Sequence, residues 1–517
     1  MPRQFNVAGV NKPSIHYTLP ASRRLPGVRA LIDGQQYFVV HAPRQVGKTT
    51  ALHTLAQELT AEGTYAAVLV SVETAVPFRD NVGMAEDAIL GSWKLSARVR
   101  MPAAFQPPPW PDAPVGSRIR YALQAWAETC LRPLVVFIDE IDALEGETLL
   151  AILRQLRDGH PDRPEHFPWS LAVIGMRNVR DYKLASGGAD RTHSASPFNV
   201  VSKALTLRNF THDEVVELYG QHTTETGQVF LPEALDRAFE MSQGQPWLAN
   251  AIARALVEDV VTDRNTPITP AHVDQAKDIL IERQDTHLDS LAERLREPRV
   301  RSVIEPIMIG AHLGEVPMDD RQFVTDLGLV RMNPDGGVQI ANPIYEEIII
   351  RMLSGSIRAS IPPLRPIWLK PDGRIDFDAL LQAFLTFWRQ HGAPLLGSTP
   401  YHEYAPHLVL MSFLHRVVNG GGTIDREYAI GRGRVDLHVS KGEDRFAVEI
   451  KVWRADGDSD PLGEGLVQIE EYLSGLKLDT GWLVIFDRRP SAPPLSQRLG
   501  ASTATTPRGK IVTLIRA

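Results

Sequence analysis

A single cysteine in 517 residues, Cys130, has no partner for an internal disulfide, which excludes a small secreted fold held together by cross-links. Long hydrophobic runs are missing too. The longest apolar stretches, such as residues 134–138, have the length of a strand and fall far short of the ~20 residues that span a bilayer. The N-terminus lacks the apolar core of a signal peptide. These absences predict a cytoplasmic protein with no membrane partner. Positive charge is not in excess: the formal net charge of −7 excludes a chain that coats nucleic acid indiscriminately, so any such contact must use local basic patches. What is present, 43% hydrophobic and 23% charged residues, is an ordinary soluble composition, and the length implies three or four domains.

The most informative stretch is residues 37–50, Tyr-Phe-Val-Val-His-Ala-Pro-Arg-Gln-Val-Gly-Lys-Thr-Thr. Residues 37–40 read as a buried strand, 42–46 as a loop, and Lys48 onward as a helix with Leu52, Leu55, Ala56 and Leu59 on one face. Strand, loop and helix together point backbone N–H groups at a triphosphate, with Lys48 as a point charge and Thr49 as a hydroxyl for Mg²⁺. The predicted nucleotide contacts are Pro43, Arg44, Gln45, Val46, Gly47, Lys48, Thr49 and Thr50, and the cofactors are ATP and Mg²⁺. Ala42 stands where the usual pattern opens with glycine, whereas Gly47 beside the lysine is kept.

A second anchor is Leu-Val-Val-Phe-Ile-Asp-Glu-Ile-Asp at 134–142. A buried parallel strand ending in carboxylates lies where open α/β sheets place ligands. Asp139 is expected on the Mg²⁺ shell, and Glu140 is expected to polarise the water that attacks the γ-phosphate. Residues 66–71 and 170–176 read as further buried strands. Asn178, just after the latter, is a candidate γ-phosphate sensor, the alternative being a plain turn residue. Six prolines between Pro102 and Pro114 mark an irregular insertion.

Helical patterning follows from Thr211, which opens a Thr-x-x-Glu capping box, and leads to Gly244-Gln-Pro-Trp-Leu248. Here the chain resembles ATPases of the AAA+ and STAND-like superfamily, in which a Gly-x-Pro of a helical lid lies against the base. That resemblance implies such a role for Gly244 and Pro246. It extends to residue ~350, because 326–331 and 337–345 look like the winged helix that closes many such ATPases. Two short β runs, 329–332 and 338–340, flank the turn Asn-Pro-Asp-Gly-Gly and support that wing independently. Arg294, Arg296, Arg299 and Arg301 could line a nucleic-acid groove, or the winged helix could simply pack on the nucleotide domain. A homo-oligomer fits this architecture, and none of Arg154, Arg157, Arg163, Arg180 and Arg191 is singled out to act across subunits. Pro362, Pro363, Pro366 and Pro371 mark a semi-rigid linker.

Beyond the linker the pattern changes. Glu403 precedes an apolar helical face (Leu408, Leu410, Met411, Leu414), and 427–430, 434–439 and 446–452 read as consecutive strands. The hairpin at 440–445 sets Asp436 opposite, or within one residue of, Glu449, and Lys451 shares a face with Glu449. Asp436 and Glu449, with the Ile450 carbonyl, offer hard oxygen ligands to Mg²⁺, and Lys451 can orient water or stabilise the pentavalent state. The plain alternative is a cross-strand ion pair. Burial of Val435, Leu437, Val448 and Ile450 is expected to leave the charges on one exposed face, where two like charges opposite each other call for a cation.

This order of features resembles the PD-(D/E)XK nuclease superfamily, especially the module fused behind ATPases in bacterial proteins, with Val435 in place of the superfamily's proline. The Gln-x-x-x-Tyr of its RecB-like branch matches Gln468 and Tyr472, so the resemblance implies that both contact the scissile phosphate or order the metal site and that Glu403 is an additional outer ligand. As bare residues, Gln468 and Tyr472 would read as surface and packing. The expected architecture is α/β: a parallel-sheet P-loop ATPase core (1–205), helical lid (206–285), winged helix (286–358), proline-rich linker (359–398) and a restriction-endonuclease-like domain (399–517). The expected function is ATP hydrolysis coupled to cleavage of nucleic acid, in the first place DNA, and by analogy of architecture defence against foreign DNA. The rival expectation is a nucleotide-switched sensor that grips DNA without cutting it.

Overall fold

The computed structural model describes residues 3–175, 200–283, 293–308, 316–332, 337–349, 367–392, 409–410, 413–414, 422–430, 433–441, 443–453 and 459–517. Asn178, Arg180, Arg191, Pro362, Pro363, Pro366 and Glu403 lie outside these residues, as do the side chains of Val435 and Asp436. Two compact units form: 1–304 with 313–345, and 305–312 with 346–517.

The first unit is built on five strands, β1 Tyr37–His41, β2 Ala66–Ser71, β3 Leu134–Asp139, β4 Ser170–Gly175 and β5 Val201–Thr206. All are parallel, in the order β2-β3-β4-β1-β5. The first four carry near-continuous apolar runs and are buried along almost their whole length, as a sheet covered on both faces requires. Helix α1 (Val28–Asp33) and α2 (Lys48–Ala61) bury one apolar layer with Phe38, Val40, Leu69 and Phe137. The opposite layer gathers α3 (Val82–Arg100), α4 (Arg118–Thr129) and α5 (Gly146–Asp158) around Trp93 and Trp126. The proline-rich stretch is irregular as expected, apart from one 3-10 turn at Ala103–Phe105, and Glu86 anchors its end. The Glu86 carboxylate accepts the Gly116 N–H at 2.9 Å, the Arg118 N–H at 3.1 Å and the Gln155 amide at 2.8 Å.

Four helices follow, α6 His212–Thr226, α7 Pro232–Ser242, α8 Pro246–Ala255 and α9 Pro270–Arg283. The capping box at Thr211 and Glu214 forms in both directions and fixes the start of α6. Tyr17, from the irregular N-terminal segment, packs between Phe5 and His222 and takes no outward role. Helix α10 (Met318–Asp326) precedes the antiparallel pair β6 Val330–Met332 and β7 Val338–Ile340. Most of the turn between them, 333–336, lies outside the described residues.

The second unit holds a six-stranded sheet in the order β12-β13-β11-β10-β9-β8. Its strands are β8 Gly422–Ile430, β9 Gly433–Lys441, β10 Asp444–Trp453, β11 Gly481–Asp487, β12 Gly500–Thr505 and β13 Ile511–Arg516. β8, β9 and β10 are antiparallel neighbours, while β10, β11 and β13 run parallel. A parallel step needs a crossover, supplied between β10 and β11 by α12 (Leu462–Gly475), which packs on β9, β10 and β11. Gly465 allows that approach, since a Cβ there would lie 2.6 Å from Leu483 Cδ1. On the other face α11 (Phe377–Phe387) leads to Trp388, which meets Phe486 with ring centroids 4.7 Å apart. Both faces of β10 are therefore covered. The expected exposed face does not exist: Glu449 is only 2% exposed, because helix α12, invisible in the strand's own pattern, lies over it.

Candidate functional site

β1 ends at His41 and α2 begins at Lys48. The turn between them needs two left-handed residues, Gln45 (φ 59°) and Gly47 (φ 81°), of which Gly47 is the N-cap of α2. Lys48 folds back over the loop and donates to the carbonyls of Ala42 (2.7 Å) and Pro43 (2.9 Å). Burial pulls the Lys48 ammonium below its ordinary pKa, against the opposing pull of Glu140 and Asp139. Arg44 and Gln45 are exposed, Val46 is buried, and the Thr50 hydroxyl accepts the Asn11 N–H at 3.2 Å.

The carboxylate of Asp139, buried at the end of β3, accepts the Thr49 hydroxyl at 2.7 Å although the two residues are 90 positions apart. Two hard oxygens from the start of α2 and the end of β3 thus converge, a donor set that fits Mg²⁺. The next residue, Glu140, takes φ 59° and turns out of the strand. Partial withdrawal from water and the neighbouring Asp139 raise its carboxyl above the ordinary glutamate value, with Lys48 opposing. A base must be ionised to accept a proton, so ATP turnover is expected to fall on the acid side with a midpoint above that of an ordinary glutamate. A pH–rate profile checks this, and an acid limb at or below the ordinary value counts against Glu140 as the base.

Gly244 (φ 68°) is demanded by close approach: a Cβ there would sit 1.9 Å from the Phe210 carbonyl oxygen, while Gly244 C=O accepts the Phe210 N–H at 2.8 Å. Pro246 opens α8, whose N-cap Gln245 accepts the Leu248 N–H. The Gly-x-Pro is thereby fixed by backbone packing, independently of any base contact.

Sequence reasoning missed Arg24. It is only 5% exposed, yet donates from Nη2 to Val46 C=O (2.7 Å) and from Nε to Arg208 C=O (2.8 Å), and lies 4.8 Å from the Phe210 ring centroid. Burial pulls this guanidinium down to about 10, with Glu214 opposing. An Arg-Arg pair among prolines carries no burial signal.

Of the arginines considered for a groove, Arg294 pairs with Glu297 (2.6 Å), and Arg299 pairs with Asp320 and covers Phe323. The turn after α10 rests on the phosphate loop, where a Cβ at Gly328 would lie 2.5 Å from Pro43 Cγ. The segment that follows α10 thus packs on the phosphate loop of the nucleotide domain. Arg163, named as a possible cross-subunit group, is committed to the Gln35 carbonyl and the Tyr37 ring.

In the second unit the β9–β10 register runs to Leu437 opposite Val448, and Asp436 and Glu449 are the next residue along each strand. Lys451 Nζ lies 3.2 Å from Glu449 Oε1 and 3.1 Å from Glu464 Oε1 at the first turn of α12. Burial lowers the Lys451 pKa, but the two carboxylates outweigh it and the net direction is upward. Ile450 lies between Glu449 and Lys451 in β10. One helical turn after Glu464, Gln468 holds its Oε1 out of water with no hydrogen-bond partner. Tyr472 is buried in the apolar cluster of Ala447, Ile469, Leu473 and Leu483. Among the described residues no three His, Cys, Asp or Glu side chains are grouped as a metal cage. Glu464 was not anticipated, since an acidic residue in a first helical turn reads as favourable capping.

Residues 385–489 match a family described as a domain of unknown function, DUF8371. No curated protein sequence matches the chain. Similar solved structures include a Walker-type ATPase of Pyrococcus abyssi (12% identity, 67% of this chain and 99% of that one, TM-score 0.48). Others are the RuvB Holliday junction branch migration motor of Thermotoga maritima (17%, 64% and 92%, TM-score 0.35) and Cdc6p of Pyrobaculum aerophilum (15%, 68% and 97%, TM-score 0.36). No helix among the described residues is long and apolar enough to cross a membrane. Residues 31–182 match the AAA domain family, and with the Lys48 loop, the Thr49–Asp139 pair and the five-stranded parallel sheet they form an AAA-type P-loop ATPase domain.

Proposed function

We propose that this protein binds and hydrolyses ATP in its first unit and, in its second, cleaves nucleic-acid phosphodiesters with Mg²⁺. In the first unit Lys48 neutralises phosphate charge, Thr49 and Asp139 hold the metal, and Glu140 polarises the attacking water, while Asn178 senses the γ-phosphate. In the second, Asp436, Glu449 and the Ile450 carbonyl are the metal's ligands, Lys451 orients water and Gln468 meets the scissile phosphate. Magnesium, when bound, lowers the pKa of water and offsets charge on the phosphodiester. The observation that carries the nuclease half is a buried carboxylate, Glu449, placed one residue beyond a hairpin register that leads to Asp436, with Lys451 at 3.2 Å and the unpartnered Gln468 acceptor on the helix that covers the same strand. Partners are ATP or ADP and nucleic acid, with DNA and a role in defence resting on likeness of architecture alone.

The test is incubation of wild-type protein with supercoiled plasmid and with single strands, in Mg²⁺ or Mn²⁺ and in EDTA, with and without ATP. Cleavage with metal and none in EDTA is expected. A second reading, a nucleotide-switched sensor that grips DNA without cutting it, is favoured by the engagement of Lys451 with two carboxylates at once, a closed ion network. Metal-independent binding of DNA without strand breaks would select that reading.

A further inference from the structure

A buried guanidinium is expensive unless its donors are satisfied, and an ordinary solution is a carboxylate partner. Arg24 is held otherwise. Its hydrogen bonds go to two main-chain carbonyls on different segments: Val46, the residue before the glycine of the phosphate loop, and Arg208, in the irregular segment that links β5 to α6. Its plane covers the Phe210 ring. A Cβ on Gly47 would lie 3.6 Å from Arg24 Nη1, so the guanidinium lines the back of the loop at the position where the chain turns into α2.

Each of these contacts continues outward. The Phe210 main chain is held by Gly244, through a hydrogen bond and the close backbone approach described above. Gly244 leads directly into the N-cap of α8. The Arg208 side chain makes two charge-assisted bonds to Glu214, 2.6 and 2.8 Å, and Glu214 is the return half of the box that caps α6. The first turn of α6 and the residue that leads into α8 are therefore each three contacts away from Val46, and both routes pass through one side chain.

We propose that Arg24 is a positioning residue that couples occupancy of the phosphate loop to helices α6 and α8. A phosphate loop must fix its N–H groups on the anion when nucleotide binds, and Val46 C=O cannot shift without dragging Arg24. Arg24 in turn bears on Phe210 and the Arg208 main chain. Coupling of this kind needs a contiguous set of packed and hydrogen-bonded groups, which is what Val46, Arg24, Phe210 and Gly244 form. The proposal extends the ATPase assignment and is independent of the nuclease reading.

The test is hydrogen exchange on the full chain with and without saturating ADP or a non-hydrolysable ATP analogue, followed by mass spectrometry of peptides from 42–50, 211–226 and 246–255. Wild type is expected to gain protection in all three regions, by roughly tenfold in the helical peptides. Arg24→Met and Phe210→Leu are expected to keep nucleotide-induced protection at 42–50 while losing most of it at 211–226 and 246–255. Arg24→Lys can reach Val46 C=O but cannot serve two carbonyls and a ring at once, and is expected to fall between. Should Arg24→Met not fold, Phe210→Leu, which leaves both hydrogen bonds intact, decides the matter. Undiminished helical protection in the folded variants overturns the coupling role, as does wild type protected only at 42–50. Absence of nucleotide protection at 42–50 in wild type would instead count against the ATP site itself.

Discussion

Lys48→Ala is expected to reduce ATP turnover by about 10²–10³-fold, the scale on which removal of one preorganised charge-stabilising group acts. Lys48 is the cation of the loop that the fold withdraws from water and ties to the loop's own carbonyls, at 2.7 and 2.9 Å from Ala42 and Pro43. Triphosphate must draw the ammonium off those carbonyls, and the loss of full hydration makes the exchange favourable because an unscreened anion is a better partner than two neutral oxygens. Arg44 cannot take over, because it projects from the exposed crest of the loop. Steady-state phosphate release measures the effect, and fluorescent-nucleotide titration separates binding from turnover. Turnover within a few-fold of wild type would remove Lys48 from the site. Because the described hydrogen bonds of Lys48 are to carbonyls of the same loop, the fold itself should survive, and an unchanged thermal transition of the first unit is the control.

Glu449→Gln should abolish metal-dependent cleavage, by about 10³-fold or more, since a neutral amide keeps the volume of the carboxylate but not its charge for a hard cation. The isosteric change matters here. Glu449 is buried under α12, and Glu449→Ala would combine loss of the ligand with a cavity. Asp436→Ala is expected to match it in extent of loss, with or without ATP, whereas Lys48→Ala should leave intact any cleavage that proceeds without nucleotide. The readout is conversion of supercoiled plasmid to nicked and linear forms in Mg²⁺ and Mn²⁺. Unchanged cutting by Glu449→Gln and Asp436→Ala would falsify the metal site, and cutting by wild type in EDTA would do so without any variant. Glu464→Gln offers a contrast, because Lys451 would then keep Glu449 as its one anionic partner, be held less tightly at 464, and be freer to orient water. Cleavage by that variant is expected to persist.

The sequence by itself determined the elements and the short-range geometry. Runs such as residues 134–138 are apolar throughout and read as strands of a sheet covered on both faces, and Gly47-Lys48-Thr49 after another such run can serve few purposes besides phosphate binding. The β9–β10 hairpin, with Leu437 opposite Val448, was equally legible, because a short hairpin fixes register and strand side chains repeat every second residue. The Thr211 capping box was legible because its partners are three residues apart. Tertiary structure alone decided what lies far apart in the chain. The strand order β2-β3-β4-β1-β5 brings Asp139 within 2.7 Å of Thr49, and α12 turns the supposed open face of β10 into a buried one. Arg24 took its importance from carbonyls 22 and 184 residues away, and Gly244 from the backbone of Phe210. The division has one physical cause: periodicity and turn chemistry act over a few residues, while burial and hydrogen-bond satisfaction are properties of whichever distant segments the fold brings together.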